Sequence, residues 1–286
     1  VSKIWPMPAL LRIAKMRWKR GRLFASQKDS EAPPVPPPPS GSLPFGDGPI
    51  SGKENTYQVF FFLDGTYSGY EGALMMDSQT VITAGVVADA ISSTPGTWTA
   101  RMGGVLVSGA DADQTILVTG PFIFDPSYAG FGAYDTDLAT VFCGAPFTTN
   151  SFVAPIEYSQ NVSEPYSEYF YPVGQTVATS GMIEWFFGTP TTSDLVGSYV
   201  NVISNSDAGS ILSESMPAAS ISTDNFGIYY AGFGAPLIAA GYGTYFLIGH
   251  LVRQDTGPVG VLVFNRYSEK TGTIISISGI NPIIYP

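Results

Sequence analysis

Tyr57-Gln58-Val59-Phe60-Phe61-Phe62-Leu63, followed at once by Asp64-Gly65, decides the fold class. Aromatic and β-branched residues dominate the run, which predicts a strand, and Asp-Gly predicts the tight turn that ends it. The same reading applies to Val81-Ile82-Thr83-Ala84 and to residues 138–142, 199–203, 245–248 and 259–264. No helix is expected from about Ile50 onward, and no repeat recurs at a period of 20–50 residues. Gly 32, Pro 23, Tyr 16 and Phe 18 suit many short strands joined by turns, so the chain reads as all-β, sandwich or barrel. Its 286 residues are enough for a large core or for two small barrels sharing an interface.

Charge divides the chain sharply. Residues 1–30 carry eight basic side chains (Lys3, Arg12, Lys15, Arg17, Lys19, Arg20, Arg22, Lys28) against Asp29 alone. The rest has five (Lys53, Arg101, Arg253, Arg266, Lys270) against 22 acids, so a +7 arm joins a −17 body. Such a body repels phosphate backbones, which argues against nucleic-acid binding by the folded part. Within the arm, Met7, Leu10, Leu11, Ala14 and Trp18 recur at helical spacing, with Arg12, Lys15, Lys19 and Arg22 on the other face. This basic amphipathic segment suits an acidic partner, an anionic membrane surface, or a solvated pro-segment that is later removed. Residues 32–41, Ala-Pro-Pro-Val-Pro-Pro-Pro-Pro-Ser-Gly, form a stiff spacer. The expected domains are therefore a basic arm (1–30), a Pro-rich linker (31–49) and a β domain (50–286).

Several chemistries find no support. Cys143 is the only cysteine, so no intramolecular disulfide forms, and an apolar strand around it favours a packing role over a reactive thiol. There is no zinc-type Cys/His cluster, no phosphate-binding Gly loop and no cofactor motif, and no apolar run reaches the ~18 residues of a membrane span. Asn161-Val162-Ser163 is a glycosylation sequon, and Arg17-Trp18-Lys19-Arg20 resembles the basic sites cut by secretory convertases. The chain begins at Val1 with no signal-peptide pattern, which fits an N-terminus already processed.

From about residue 50 to 270, a series of segments resembles the chymotrypsin- and trypsin-like serine proteases, insect digestive ones in particular. Ile50-Ser51-Gly52-Lys53 is similar to the mature Ile-Val-Gly-Gly start, and Gly72-Ala73-Leu74 with Val81-Ile82-Thr83-Ala84-Gly85-Val86-Val87 to the segments around the catalytic histidine. Asp137-Leu138-Ala139 resembles the segment of the triad aspartate, Ala145-Pro146 through Pro155-Ile156 the stretch ending in Pro-Ile-Cys, and Val202-Ile203-Ser204-Asn205 the family's Val-Ile-Ser-Asn. Ala231-Gly232-Phe233-Gly234-Ala235-Pro236-Leu237 is similar to the nucleophile loop Gly-Asp-Ser-Gly-Gly-Pro-Leu. The resemblance implies two six-stranded antiparallel β-barrels, with the active site between them.

It also implies what is missing. The base position falls on Val86, or on Gly85 with a one-residue shift, and the nucleophile position falls on Phe233. Only the acid remains, as Asp137, and alone it does no triad chemistry. Its expected role is to accept hydrogen bonds at the barrel junction, from Thr83 or nearby backbone N–H groups. Ala231 stands at the oxyanion-hole glycine, Gly232 at the aspartate that pairs with the freed amino terminus, and Pro49 where a basic residue precedes the activating cut. Family half-cystine positions read Tyr70, Val87, Glu157, Ala208, Ser222, Tyr229 and Phe264, of which Tyr70–Val87 and Ala208–Ser222 are implied pairs. Aromatic burial at Tyr70, Tyr229, Phe264 and Phe233 would offset part of the lost cross-linking.

The expected function is that of a non-catalytic homologue acting as a protein-binding, scaffolding or structural component, with no cofactor, no metal and an acidic partner for residues 1–30. The alternatives are a coat-like β-sandwich with a nucleic-acid-binding arm, and a residual hydrolase drawing on Asp137, His250 or Cys143. Ancestry and sequon favour secretion; the absence of disulfides favours a reducing compartment or a dense assembly. Gly272, Ser276, Gly279, Pro282 and Pro286 argue against a long C-terminal helix, and residues 280–286 read as an extended tail.

Overall fold

A computed structural model describes residues 43–44, 48–50, 54–106, 108–160, 176–182, 195–225, 231–241, 244–255 and 260–284. The chain divides into two units, Val1–Pro37 and Pro38–Pro286. The basic arm, Arg20, Asn161 and Tyr229 lie outside the described residues. The strands are β1 (Gly48–Pro49), β2 (Gln58–Leu63), β3 (Thr66–Leu74), β4 (Thr80–Thr83), β5 (Trp98–Met102), β6 (Gln114–Phe124), β7 (Ala139–Cys143) and β8 (Ser159–Gln160). Then follow β9 (Thr176–Met182), β10 (Leu195–Ile203), β11 (Ser220–Asn225), β12 (Pro236–Gly241), β13 (Thr244–Asp255), β14 (Gly260–Arg266) and β15 (Ile283–Ile284).

Two closed six-stranded antiparallel barrels result. The first runs β2-β3-β4-β7-β6-β5 and closes through Leu63↔Trp98. The second runs β9-β10-β11-β14-β13-β12 and closes through β9–β12, with β1 added to β10. The tail strand β15 pairs in parallel with β8, the extended course expected of the C-terminus. A single β-sandwich is not the fold observed.

The apolar run in β2 is continuous because both of its faces are buried. Val59 and Phe61 pack with Leu74, Val81, Ala100, Met102 and Val141 of the first barrel. Phe60 and Phe62 turn the other way, into a cluster that draws Ala178, Leu195, Ile238 and Leu247 from the second barrel and Tyr267, Ile274 and Ile277 from the C-terminal region. That shared cluster joins the barrels; a third, around Leu237, Phe246, Leu251 and Phe264, fills the second. The strand β6 shows the contrasting pattern, alternating half-buried and exposed positions along its length.

The expectation of a helix-free body is corrected. Among the described residues, three short helices form: α1 (Gly85–Ser93), α2 (Asn205–Leu212) and α3 (Thr271–Ser278), with a 3-10 turn at Tyr267–Glu269. Ser204 caps α2, accepting from the Asp207 N–H at 3.0 Å, and Gly279 ends α3 at φ +72°. Ala84, before α1, offers no side-chain cap.

Candidate functional site

Two segments meet where the barrels face each other: the loop 231–235 and the start of α1. Tyr70 and Phe233 form a parallel bridge. The Glu71 N–H donates to the Phe233 carbonyl at 2.8 Å, and the Phe233 N–H donates to the Gly69 carbonyl at 3.1 Å. Beneath them lies the fully buried Glu71 carboxylate. Its Oε1 accepts from the Gly232 N–H at 3.1 Å and the Tyr67 hydroxyl at 2.5 Å. Its Oε2 accepts from Gln58 Nε2 at 2.5 Å, and the Gln58 amide oxygen accepts from Ser180 Oγ at 2.5 Å. A buried carboxylate is tolerated when it is held this way.

The loop is shaped by close approach. A Cβ on Gly232 would lie 2.5 Å from the Gly69 carbonyl oxygen and 2.8 Å from both Glu71 Oε1 and the Tyr67 hydroxyl. Gly234 sits at φ +88°, and a Cβ there would come within 2.0 Å of the Glu71 carbonyl oxygen. Phe233 is half-buried, with its ring packed on the first core and set edge-on to Phe131 at 5.9 Å and 81°. Burial at the positions the family resemblance matches to half-cystines is uneven. Phe264 is fully buried, whereas Tyr70 keeps partial exposure and stacks on Trp98. Val87 and Ala208 are core residues, and Ser222 donates to Asn205 Oδ1.

Asp137 is fully buried, and its Oδ1 accepts from the Val86 N–H at 2.8 Å, with a further backbone bond from Gly85. A residue 51 positions away thus caps α1, satisfying N–H groups that its own sequence leaves open. The expected hydroxyl donor is corrected: Thr83 Oγ1 donates to the Glu71 carbonyl instead, at 2.5 Å. Asp137 Oδ2 has no partner among the described residues. Burial raises the Asp137 carboxyl to about 6, against the pull of the two backbone bonds. Val86 presents no base here. Gly85 has no room for one, since a Cβ would meet the Tyr128 ring at 2.6 Å.

His250, on β13, is fully buried and touches only the main chain of Asp137. Its Nε2 lies 2.7 Å from the Asp137 carbonyl oxygen and its Nδ1 2.8 Å from the Tyr267 hydroxyl. A carbonyl can only accept, so Nε2 carries the proton and Tyr267 donates to Nδ1. Burial lowers the imidazole to about 4, so it is neutral near pH 7. Cys143 is buried on β7, its thiol pushed up to about 12 by burial and then by the Asp77 charge. Asp137, His250 and Cys143 therefore do not combine into a nucleophile–base pair, and no trio of potential metal ligands occurs among the described residues.

Two features had no counterpart in the sequence reading. Glu71 is one; its only signal was a lone acid beside an apolar strand. The other is a polar strap between the barrels. Arg253, on β13, donates to Glu214 and to the Tyr134 hydroxyl, and Asn265 Nδ2 holds the Tyr134 carbonyl at 3.0 Å. Ile50 is buried in the cluster shared by the two barrels, and its N–H donates to the Leu195 carbonyl at 3.0 Å.

The trypsin family model matches residues 46–249. Among solved structures, mouse neuropsin, a serine protease expressed in the limbic system of the brain, is similar at a TM-score of 0.62 and 16% identity, over 81% of this chain and 99% of that one. No curated protein matches the sequence.

Proposed function

This chain belongs to the trypsin family, and from that premise we propose that it is a non-catalytic member serving as a protein-binding or structural component. One observation carries the reading. The backbone N–H at the nucleophile position, one of the donors that stabilise the oxyanion in this family, is here spent on the Gly69 carbonyl at 3.1 Å. The benzyl group of Phe233 has no lone pair with which to attack a carbonyl. Val86 cannot take a proton, and Asp137 serves as a helix cap.

Trypsin-family domains are commonly secreted, and the sequon at Asn161 belongs to that route, so we assign the protein to the secretory pathway. Residues 1–30 act as a tether to an acidic surface.

The test uses full chain from its native source. Its intact mass is expected to report a glycan at Asn161 and the state of the Arg20 site. No turnover of a mixed peptide library is expected, nor labelling by a serine-directed phosphonate probe. The double reversion Val86→His with Phe233→Ser is expected to stay inactive, because loss of one oxyanion donor costs about 10²–10³ in rate. Turnover by the unmodified chain that Asp137→Asn abolishes would sink the proposal.

A further inference from the structure

We propose that the face formed by Phe131 and Phe233 is a docking surface for the basic amphipathic segment, residues 7–22, of a second copy of this chain. The proposal rests on reading the former cleft as a binding surface. Phe131 is 67% exposed, carried on a loop between Gly130 and Gly132, both at φ +97° with no atom within 4 Å of an added Cβ. Phe233, partly exposed, receives its edge. Farther along the loop, Tyr128 is half-exposed and stacks on Phe124 at 5.3 Å. The Tyr128 ring lies against Gly85 at the start of α1, where an added Cβ would meet it at 2.6 Å, and Asp89 follows one turn along that helix. Asp89 is exposed and Asp135 half-exposed, and neither forms an ion pair among the described residues. Exposed aromatic side chains, with Asp135 four residues beyond Phe131 and Asp89 on the adjoining helix, fit a partner that is apolar on one side and cationic on the other.

Charge identifies the occupant. The described residues hold sixteen carboxylates but four cations, and all four cations are engaged. Arg253 pairs with Glu214, Arg266 with Glu269 and Lys270 with Asp125, while Arg101 lies over the Phe62 ring and donates to backbone carbonyls. Among the described residues, the body keeps no unengaged cation to offer a neighbour's acidic face. Residues 1–30 supply cations, at a net +7. Their apolar stripe of Met7, Leu10, Leu11, Ala14 and Trp18 matches the rings, and Arg12, Lys15, Lys19 and Arg22 match the carboxylates. The spacer 32–41, stiff at ~3.1 Å per residue, offers the segment to a neighbouring molecule. Each copy gives one arm and presents one face, so reciprocal exchange closes a dimer and onward donation builds rings or filaments.

Full-length chain, at low salt, is expected to sediment as concentration-dependent oligomers that dissociate as ionic strength rises. In a mixture of unlabelled and ¹⁵N-labelled copies, carbodiimide is expected to join Lys15 or Lys19 to Asp89 or Asp135 in mixed-isotope pairs. Phe131→Asp is expected to raise the concentration for half-association about tenfold or more, and Lys15→Glu with Lys19→Glu to do the same. Adding Asp89→Lys and Asp135→Lys to the latter should restore association, with far-UV circular dichroism unchanged throughout. A monomer at every concentration, cross-links confined to one isotope, or association indifferent to Phe131→Asp would overturn the inference. Peptide turnover is a separate readout: a chain that assembles and also cleaves would defeat the non-catalytic reading and leave this one standing.

Discussion

Asp137 and His250 are adjacent buried groups whose protonation is pulled in opposite directions. The folded state raises Asp137 from 3.8 to about 6, so it binds a proton more readily than the unfolded chain, and this contribution to stability is lost as pH rises between those values. It lowers His250 from 6.5 to about 4, so the unfolded chain binds the proton more readily, and this contribution grows as pH rises through that window. At ~1.4 kcal/mol per pH unit, each effect is of order 3 kcal/mol and the two nearly cancel. Urea melts of the unmodified chain are expected to vary little between pH 4 and 6. Asp137→Asn should leave stability that climbs with pH, and His250→Gln stability that falls. Equal slopes in the two variants would refute this account. That Asp137 accepts hydrogen bonds from nearby backbone N–H groups was expected from its segment, Asp137-Leu138-Ala139. Its cap role was not, because the N–H groups it serves are 51 residues away.

Among the elements, strands were easier to read than helices, for physical reasons. The run at β2 shows its character within seven residues, because both of its faces are buried and only Gln58 breaks its apolar sequence. By contrast, α1 has no local signal: Ala84 supplies no cap and the first turn no acid. A tertiary carboxylate does that work. For α2 a signal existed, Ser204 three residues before Asp207, but the segment is only eight residues long, contains a glycine and buries Ala208 alone, so it carries no sustained apolar periodicity. The Ser204 hydroxyl both accepts from the Asp207 N–H and donates to its carboxylate at 2.7 Å. Ser204→Ala is expected to lower the free energy of unfolding by about 1 kcal/mol, measured by urea denaturation; a change within error would remove the cap from the account of α2.

Across the whole molecule, the barrels hold together without covalent cross-links. The shared cluster takes Phe60, Phe62 and Ile82 from one barrel and Leu195, Ile238 and Leu247 from the other. Polar ties run alongside it, from Glu71 to Gly232, Tyr134 to Asn265 and Lys270 to Asp125. Barrels joined this way share one core, so calorimetry is expected to show a single transition for the two, identical with and without reductant. Two resolved transitions would mean that the barrels unfold separately. The double barrel was legible through ordered family likenesses. The polar ties were not, since each pairs residues distant in sequence whose types are unremarkable alone.

The crowding at Gly232 sets what this position can hold. The Gly69 carbonyl lies only 2.5 Å from where a Cβ would sit, and Glu71 and Tyr67 fill the space beyond it. Truncating Glu71 would open part of that space but leave the Gly232 N–H and the Gln58 amide without their acceptor. A side chain at 232 is therefore tolerated only with coordinated changes in main chain and neighbours, which locks the loop epistatically to glycine.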